Sequence, residues 1–484
     1  MPSKSKVTFR CLHSKAFFVS ILFVVALFFS CFTSIFSYDL SHFALGAPDR
    51  IVQNESELRN AVAITTKPVV IALDNDIVLT STLSISANKD ITLTSTAGKN
   101  FFKLIGADSA NPYSTFQMPN VAVGTTIDVE SGGVLRLGGI IVTHESGSIG
   151  RGVYVNGGGS LIMYSGEISG NSANMFLPVV GNYCSTGGGV DNRGDFEMHG
   201  GKISNNNAPD GYGGGVNNYG NFVMYGGEIT NNTASRNGGG VCNGLSANFV
   251  MSGGQISNNK VSSVEFGFGG GVFNGAVFTM FMGKIFNNEA VHGGGVYVTT
   301  GNIHADMTCD GSFSMFGGEI SGNIAQWGGG VQNTGVFSMS GGVISYNQAT
   351  YGGGVYITPY DSNSPRVYIF SMSGGVISYN QATYGGGVYN YFNGNFSLSK
   401  NGVISDNIAE VGGGVYNDGT FSRRNGEISD NTAEQYSDIY STDDNTISDD
   451  NTFNDDNIVG YVVLVVALVV VSVIVCCFFR NRLK

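Results

Sequence analysis

The sequence predicts an all-β fold, a parallel β-helix of three-strand coils about 24 residues long, and three observations carry that prediction. The first is composition: 72 of 484 residues are glycine, roughly twice ordinary usage, against only 9 prolines and 12% charged residues. Without a G-x-y period collagen is excluded, and a hydrophobic content of 42% with 32 phenylalanines is too apolar for a disordered linker. Glycine must therefore serve tight turns in a folded chain. The second is repetition: GGGV begins at Gly187, Gly213, Gly238, Gly269, Gly293, Gly328, Gly352, Gly385 and Gly412. The third is phase. I-x-x-N-x-[AV] precedes every GGGV, from Ile168 to Ile404, with a tenth copy at Ile428, and a Phe recurs about seven residues ahead of the Ile from Phe196 to Phe421.

Taken in chain order, residues 1–46 read as a secretory signal or an uncleaved anchor. Lys4, Lys6, Arg10 and Lys15 precede an uncharged apolar run over 16–36, and Ala44-Leu45-Gly46 offers a cleavage site. Residues 47–150 hold a cap and the first coils. NESELRNAVAI (54–64) reads as a short amphipathic helix with Ser56 as candidate N-cap, closing the open end of a solenoid, and strand-like pieces follow at 69–73, 77–79, 83–85 and 91–93. Residues 151–433 are the repeat. Each unit has β-type pieces around GGGV-x-N, F-x-M and E-I-S, too glycine-rich for a useful helix and too small to bury its own apolar face, so units must stack. Stacking puts equivalent residues ~4.8 Å apart. Phe and the Met two residues on should then point inward in columns, and the I-x-x-N asparagines should bond along a column, each occupying a left-handed turn position. The residue before the Ile (Glu167, Lys202, Glu228, Gln255, Lys284, Glu319, Val343, Val376, Val403, Glu427) never places like charges in neighbouring units, as an outward column requires. Asn follows GGGV-x in seven copies; Val298 and Ile357 replace it before the two long insertions, at 298–312 and 357–369.

Residues 434–457 carry eight acids and no Lys or Arg, and read as a solvated stalk. Residues 458–479 are long and apolar enough to span a membrane, and Arg480, Arg482 and Lys484 in the 480–484 tail place that end in the cytoplasm. The expected location is thus the cell membrane, with residues 47–457 outside. That span carries a net charge of −18, which argues against nucleic acid as a partner. Cys184, Cys242 and Cys309, widely spaced, form neither a disulfide framework nor a zinc signature. No P-loop, G-x-S-x-G or H-E-x-x-H occurs, and neither cofactor nor metal is expected. N-x-[ST] occurs at Asn54, Asn231 and Asn395, with Asn231 poorly placed for a glycan beside Asn232.

I-x-x-N-x-A followed by GGGVY resembles the paired GGA[ILV] and F-x-x-N repeats of polymorphic outer-membrane proteins over roughly 150–433. The resemblance implies a right-handed β-helix, pectin-lyase-like in shape, on a surface-exposed adhesin. Ile stands here for the Phe of F-x-x-N, and an apolar run stands where that family has a β-barrel. Two functions are weighed. One is an adhesive or envelope-structural surface protein contacting glycans or surface proteins, with Trp327, Tyr351, Tyr356, Tyr384, Tyr389 and Tyr416 as a glycan-binding stripe or, alternatively, a stabilising aromatic ladder. The other is a polysaccharide lyase or glycoside hydrolase. Its acids would come from Asp191, Asp195 and Glu197 with Arg193 and His199, or from Asp306 and Asp310 with His304; solvated turns are the alternative for both groups.

Overall fold

A computed structural model describes residues 47–64, 68–97, 100–107, 124–173, 187–209, 211–302, 308–359, 368–442 and 447–448. The chain divides into two compact units, Met1–Pro48 and Asp49–Lys484. In the second, the described residues are nearly all β, in one 24-stranded and one 14-stranded sheet with two small ones. Pairing between strands is parallel except for a hairpin between Val296–Asn302 and Thr308–Asp310. This arrangement is consistent with a β-helix. The expected signal region and the 458–479 span lie outside the described residues; among those described, no helix is long and apolar enough to cross a membrane.

The register is the one that the repeat demands. Phe222 pairs with Phe249 and Phe249 with Phe278, while Met224, Met251 and Met280 follow two residues on. Alternation along a strand sends both inward, and the nine phenylalanines from Phe196 to Phe421 are all at most 1% exposed. Their rings stack at 4.6–5.0 Å with 5–7° between planes. Burying each ring contributes about 1.5–3 kcal/mol, and each stack ~0.5–1.5 kcal/mol beyond that. The chain departs once from its spacing: eight residues separate Phe396 from Ile404, and the ladder absorbs the extra residue as a register shift after Met372.

The I-x-x-N asparagines form a buried column from Asn171 to Asn431. From Asn206 to Asn407 each Nδ2 donates to the next Asn Oδ1 (Asn206 to Asn232, 3.0 Å) and to the preceding coil's Ile carbonyl (Ile168, 2.9 Å). The same Oδ1 also accepts the Asn206 main-chain N–H at 3.0 Å. At one end His144 Nδ1 donates to Asn171 Oδ1 at 2.9 Å; at the other, Asn431 Nδ2 donates to Asp438 Oδ1 at 3.1 Å. The left-handed residue, however, is not this asparagine but the one before it: Gly170, Asn205, Asn231, Asn258, Asn287, Gly322, Tyr346, Tyr379, Asp406 and Asp430 all have φ between 54° and 68°. The buried amide needs ordinary backbone to reach its three partners, so the turn is made one residue earlier. Asn231 is accordingly an exposed turn residue.

Three further differences follow. A fourth short piece pairs after the asparagine turn, as in Asn207–Ala208 with Thr233–Ala234, so the coil is not limited to three strands. The helix is Glu55–Ile64, and its cap is Asn54, not Ser56. Asn54 Oδ1 accepts the Glu57 N–H at 3.0 Å while Glu57 Oε2 accepts the Gln53 N–H at 2.8 Å, satisfying two otherwise orphaned donors. Leu58, Ala61 and Val62 enter the same buried cluster as the strands. Finally, parallel pairing continues into the acidic segment read as a stalk from 434. Ile439–Ser441 pairs with Val415–Asn417, and Ile447–Ser448 pairs with Phe421 and Ser422. Tyr436, Ser437 and Asp438 supply the carbonyls that the three glycines supply elsewhere, with Tyr436 at φ 60° in the first glycine's place.

GGGV uses its glycines differently. Gly213 has φ +67°, which side chains rarely adopt; at Gly215 a Cβ would lie 2.7 Å from the Gly240 carbonyl and 2.9 Å from Ile229 Cγ2. Glycine here lets coils approach closely.

Candidate functional site

Two neighbouring columns run along the coils, one just ahead of the strands of the 14-stranded sheet in sequence and one within that sheet. One holds the residue before each GGGV, bridged in register as Phe268, His292, Trp327, Tyr351, Tyr384, Val411. The other holds the residue after its Val: Phe273, Tyr297, Gln332, Tyr356, Tyr389, Tyr416, Tyr440. The structure therefore brings all six stripe residues onto one face, Trp327, Tyr351 and Tyr384 in the first column and Tyr356, Tyr389 and Tyr416 in the second.

Their rings are turned toward one another. His292, Trp327, Tyr351 and Tyr384 follow at 4.5, 6.4 and 5.4 Å with planes within 11° of parallel. Tyr389 lies 4.5 Å from Tyr416, and Tyr416 lies 4.6 Å from Tyr440. Tyr384 closes the pattern edge-on against Tyr416, at 5.8 Å and 86°. Ring faces are thus largely occupied within the ladder, and a ligand outside it meets ring edges and hydroxyls. Tyr356 and Tyr389 are 8% and 6% exposed. Burial pushes the Tyr356 and Tyr416 phenols up to about 12; burial, then the neighbouring Asp418 carboxylate, pushes Tyr389 up further still. These hydroxyls remain protonated donors, and Tyr389 donates to Asp418 Oδ2 at 3.0 Å. Tyr391 and Phe392 in the adjoining turn add exposed rings, with Tyr391 stacked 6.1 Å from Tyr389. Sequence reasoning passed over these two, together with His292 and Tyr440: Tyr391 and Phe392 lie beyond the GGGV-x-N turn, Tyr440 follows no GGGV, and His292, though directly before Gly293, is neither Tyr nor Trp.

Nearer the N-terminus the second column is charged: Asp128, Tyr154 and Asp191 lie in register. Asp191 is fully buried and accepts from Arg151 Nη1 at 2.8 Å, its Oδ1 finding no hydrogen-bond partner. Burial raises both carboxyls above the usual carboxylate range, against the pull of Arg151. The Arg151 guanidinium lies 4.0 Å from the Tyr154 ring centre, with Arg193 at 5.9 Å. Sequence proximity had grouped Asp191 and Arg193 with Asp195, Glu197 and His199, but the fold separates them. Asp195 and Glu197 belong to Asp195–Met198 in the larger sheet, where Glu197 meets His199 at 3.2 Å and His199 stacks between Tyr164 and Tyr225. His304 and Asp306 lie outside the described residues, and of Asp310 only the backbone is described. Among the described residues no group of three or more His, Cys, Asp or Glu is placed to hold a metal ion.

Comparison with family models, with curated proteins and with solved structures yields no match in any of the three.

Proposed function

We propose that this chain is a membrane-anchored cell-surface protein, a right-handed β-helix with an adhesive or envelope-structural role, that contacts glycans or surface proteins through the aromatic face. The observation that carries the reading is the double aromatic column, which lines one side of successive coils with tyrosines and is joined by the exposed Tyr391 and Phe392 of one adjoining turn. Hydroxyl edges suit a polyhydroxylated polymer, and a periodic row suits a periodic ligand. The signal region, the 458–479 span and the repeat's resemblance to surface adhesins support the location. Two measurements test it. External protease added to intact cells should remove an epitope within residues 49–442; an epitope that resists would refute the location. Replacing Tyr351, Tyr384, Tyr389 and Tyr416 by Phe keeps the rings and removes the hydroxyls. Retention on envelope polysaccharide should then drop several-fold, and unchanged retention would refute the contact.

A second reading, a polysaccharide lyase or glycoside hydrolase, is favoured by the Asp128–Tyr154–Asp191 column, where two carboxyls of raised pKa lie two coils apart, about 10 Å by strand spacing. New reducing ends from pectic or neutral polymers, lost in a folded Asp128→Asn variant, would establish it, since Asp128 is the partly exposed carboxylate of the pair.

A further inference from the structure

Tyr346 and Tyr379 stand in the left-handed turn column, at φ 58° and 57°, where four other coils use asparagine. Their rings stack at 5.2 Å and 8°, and the residues are 65% and 51% exposed. No other described coil places an aromatic ring at this position. The preceding coil has Gly322 there, so no side chain continues the stack over the outer face of Tyr346. One coil further on stands Asn287: the three atoms nearest to a Cβ built on Gly322 all belong to it, its Oδ1 at 2.5 Å. The result is a shallow slot against the outer face of the Tyr346 ring, its floor the Asn287 carboxamide, which leans over the Gly322 backbone.

We propose that this slot binds one ring of a neutral pyranose oligosaccharide. A pyranose offers a flat C–H face to stack on Tyr346 and rim hydroxyls to bond the Asn287 amide and that of Gln348, which stands in register with the exposed Ile324 of the Gly322 coil. From Asn287 to Tyr379 the turn column holds no cation, so nothing in it would pair with the carboxylate of an acidic sugar. Asparagine would satisfy the turn with less strain, whereas tyrosine at two successive coils keeps the strained conformation and adds a ring platform.

The inference rests on the surface-protein reading but concerns a different edge of the coil from the aromatic face. Its test is equilibrium dialysis of the full chain in detergent against labelled cellohexaose, chitohexaose and hexagalacturonate. A neutral hexaose should bind and the acidic one should not. Tyr346→Asn should weaken binding at least tenfold, Gly322→Asn should do the same by filling the slot, and Tyr379→Asn should cost about threefold. Both Tyr→Asn changes install the residue that other coils carry, so folding is retained. Failure of both neutral hexaoses to bind, equal binding of hexagalacturonate, or unchanged affinity in Tyr346→Asn would overturn the slot. None of these bears on protease access at the cell surface, so the two readings fail separately.

Discussion

Tyr346 and Tyr379 hold a backbone conformation that costs a side chain with a Cβ roughly 1–2 kcal/mol, and asparagine relieves part of that cost. Either residue changed to Asn relieves turn strain but loses the Tyr346–Tyr379 stack, so the thermal midpoint should shift little while the binding falls. His292 makes a second residue-scale prediction. Burial lowers its imidazole from 6.5 to about 4, against a hydrogen bond with Gln332. The unfolded chain takes up this proton as pH falls through 6.5, whereas the folded chain resists until about 4. Its share of stability is thus complete above 6.5 and lost progressively toward 4. His292→Phe, which installs the residue of the preceding coil in this column, should flatten the acid side of the stability–pH curve relative to the parent; an identical slope would show that His292 does not titrate there. Which residues line the columns was legible from the sequence, because stacked repeats align like with like. Which residue makes the left-handed turn was not, since four of the ten I-x-x-N sites have two asparagines side by side and either suits the turn.

At the scale of elements, the helix Glu55–Ile64 was legible and its cap was misplaced by two residues. Asn54 and Ser56 are both capping types, and only the Asn54–Glu57 reciprocity distinguishes them. Asn54→Ala should cost about 1 kcal/mol locally, with faster amide exchange over 50–64, and Ser56→Ala should change neither. The last coil was hidden for a different reason. Tyr436-Ser437-Asp438 contributes backbone carbonyls to a pattern recognised by its glycines, so the motif disappears from the sequence while its hydrogen bonds persist. The Asp128–Arg151–Asp191 grouping was equally hidden, because its members lie up to 63 residues apart in positions that vary from coil to coil. Proximity in sequence favoured Asp195 and Glu197, which period-2 geometry and a change of sheet carry away from Asp191.

For the molecule as a whole, nearest-neighbour stacking makes length adjustable. Residues 337–356 and 370–389 are identical. Deleting 357–389 would join Tyr356 to Asn390 and replace Ile357 by an asparagine beside Asn333. Asn390 Oδ1, now buried without a hydrogen-bond partner, would then meet an amide donor. The shortened protein should fold with one coil fewer and an unchanged β-sheet circular dichroism per residue; loss of cooperative unfolding would contradict nearest-neighbour stacking. Length is free, but direction is not. Every amide in the Asn171–Asn431 column donates the same way, so their dipoles add like cells in a battery. The two poles are matched to their terminals, an imidazole N–H from His144 at the acceptor end and the Asp438 carboxylate at the donor end. Internal coils are interchangeable parts of one polarised stack, whereas the two end coils carry the donor and the acceptor that terminate it. New units can be inserted or lost between the poles without reversing the column.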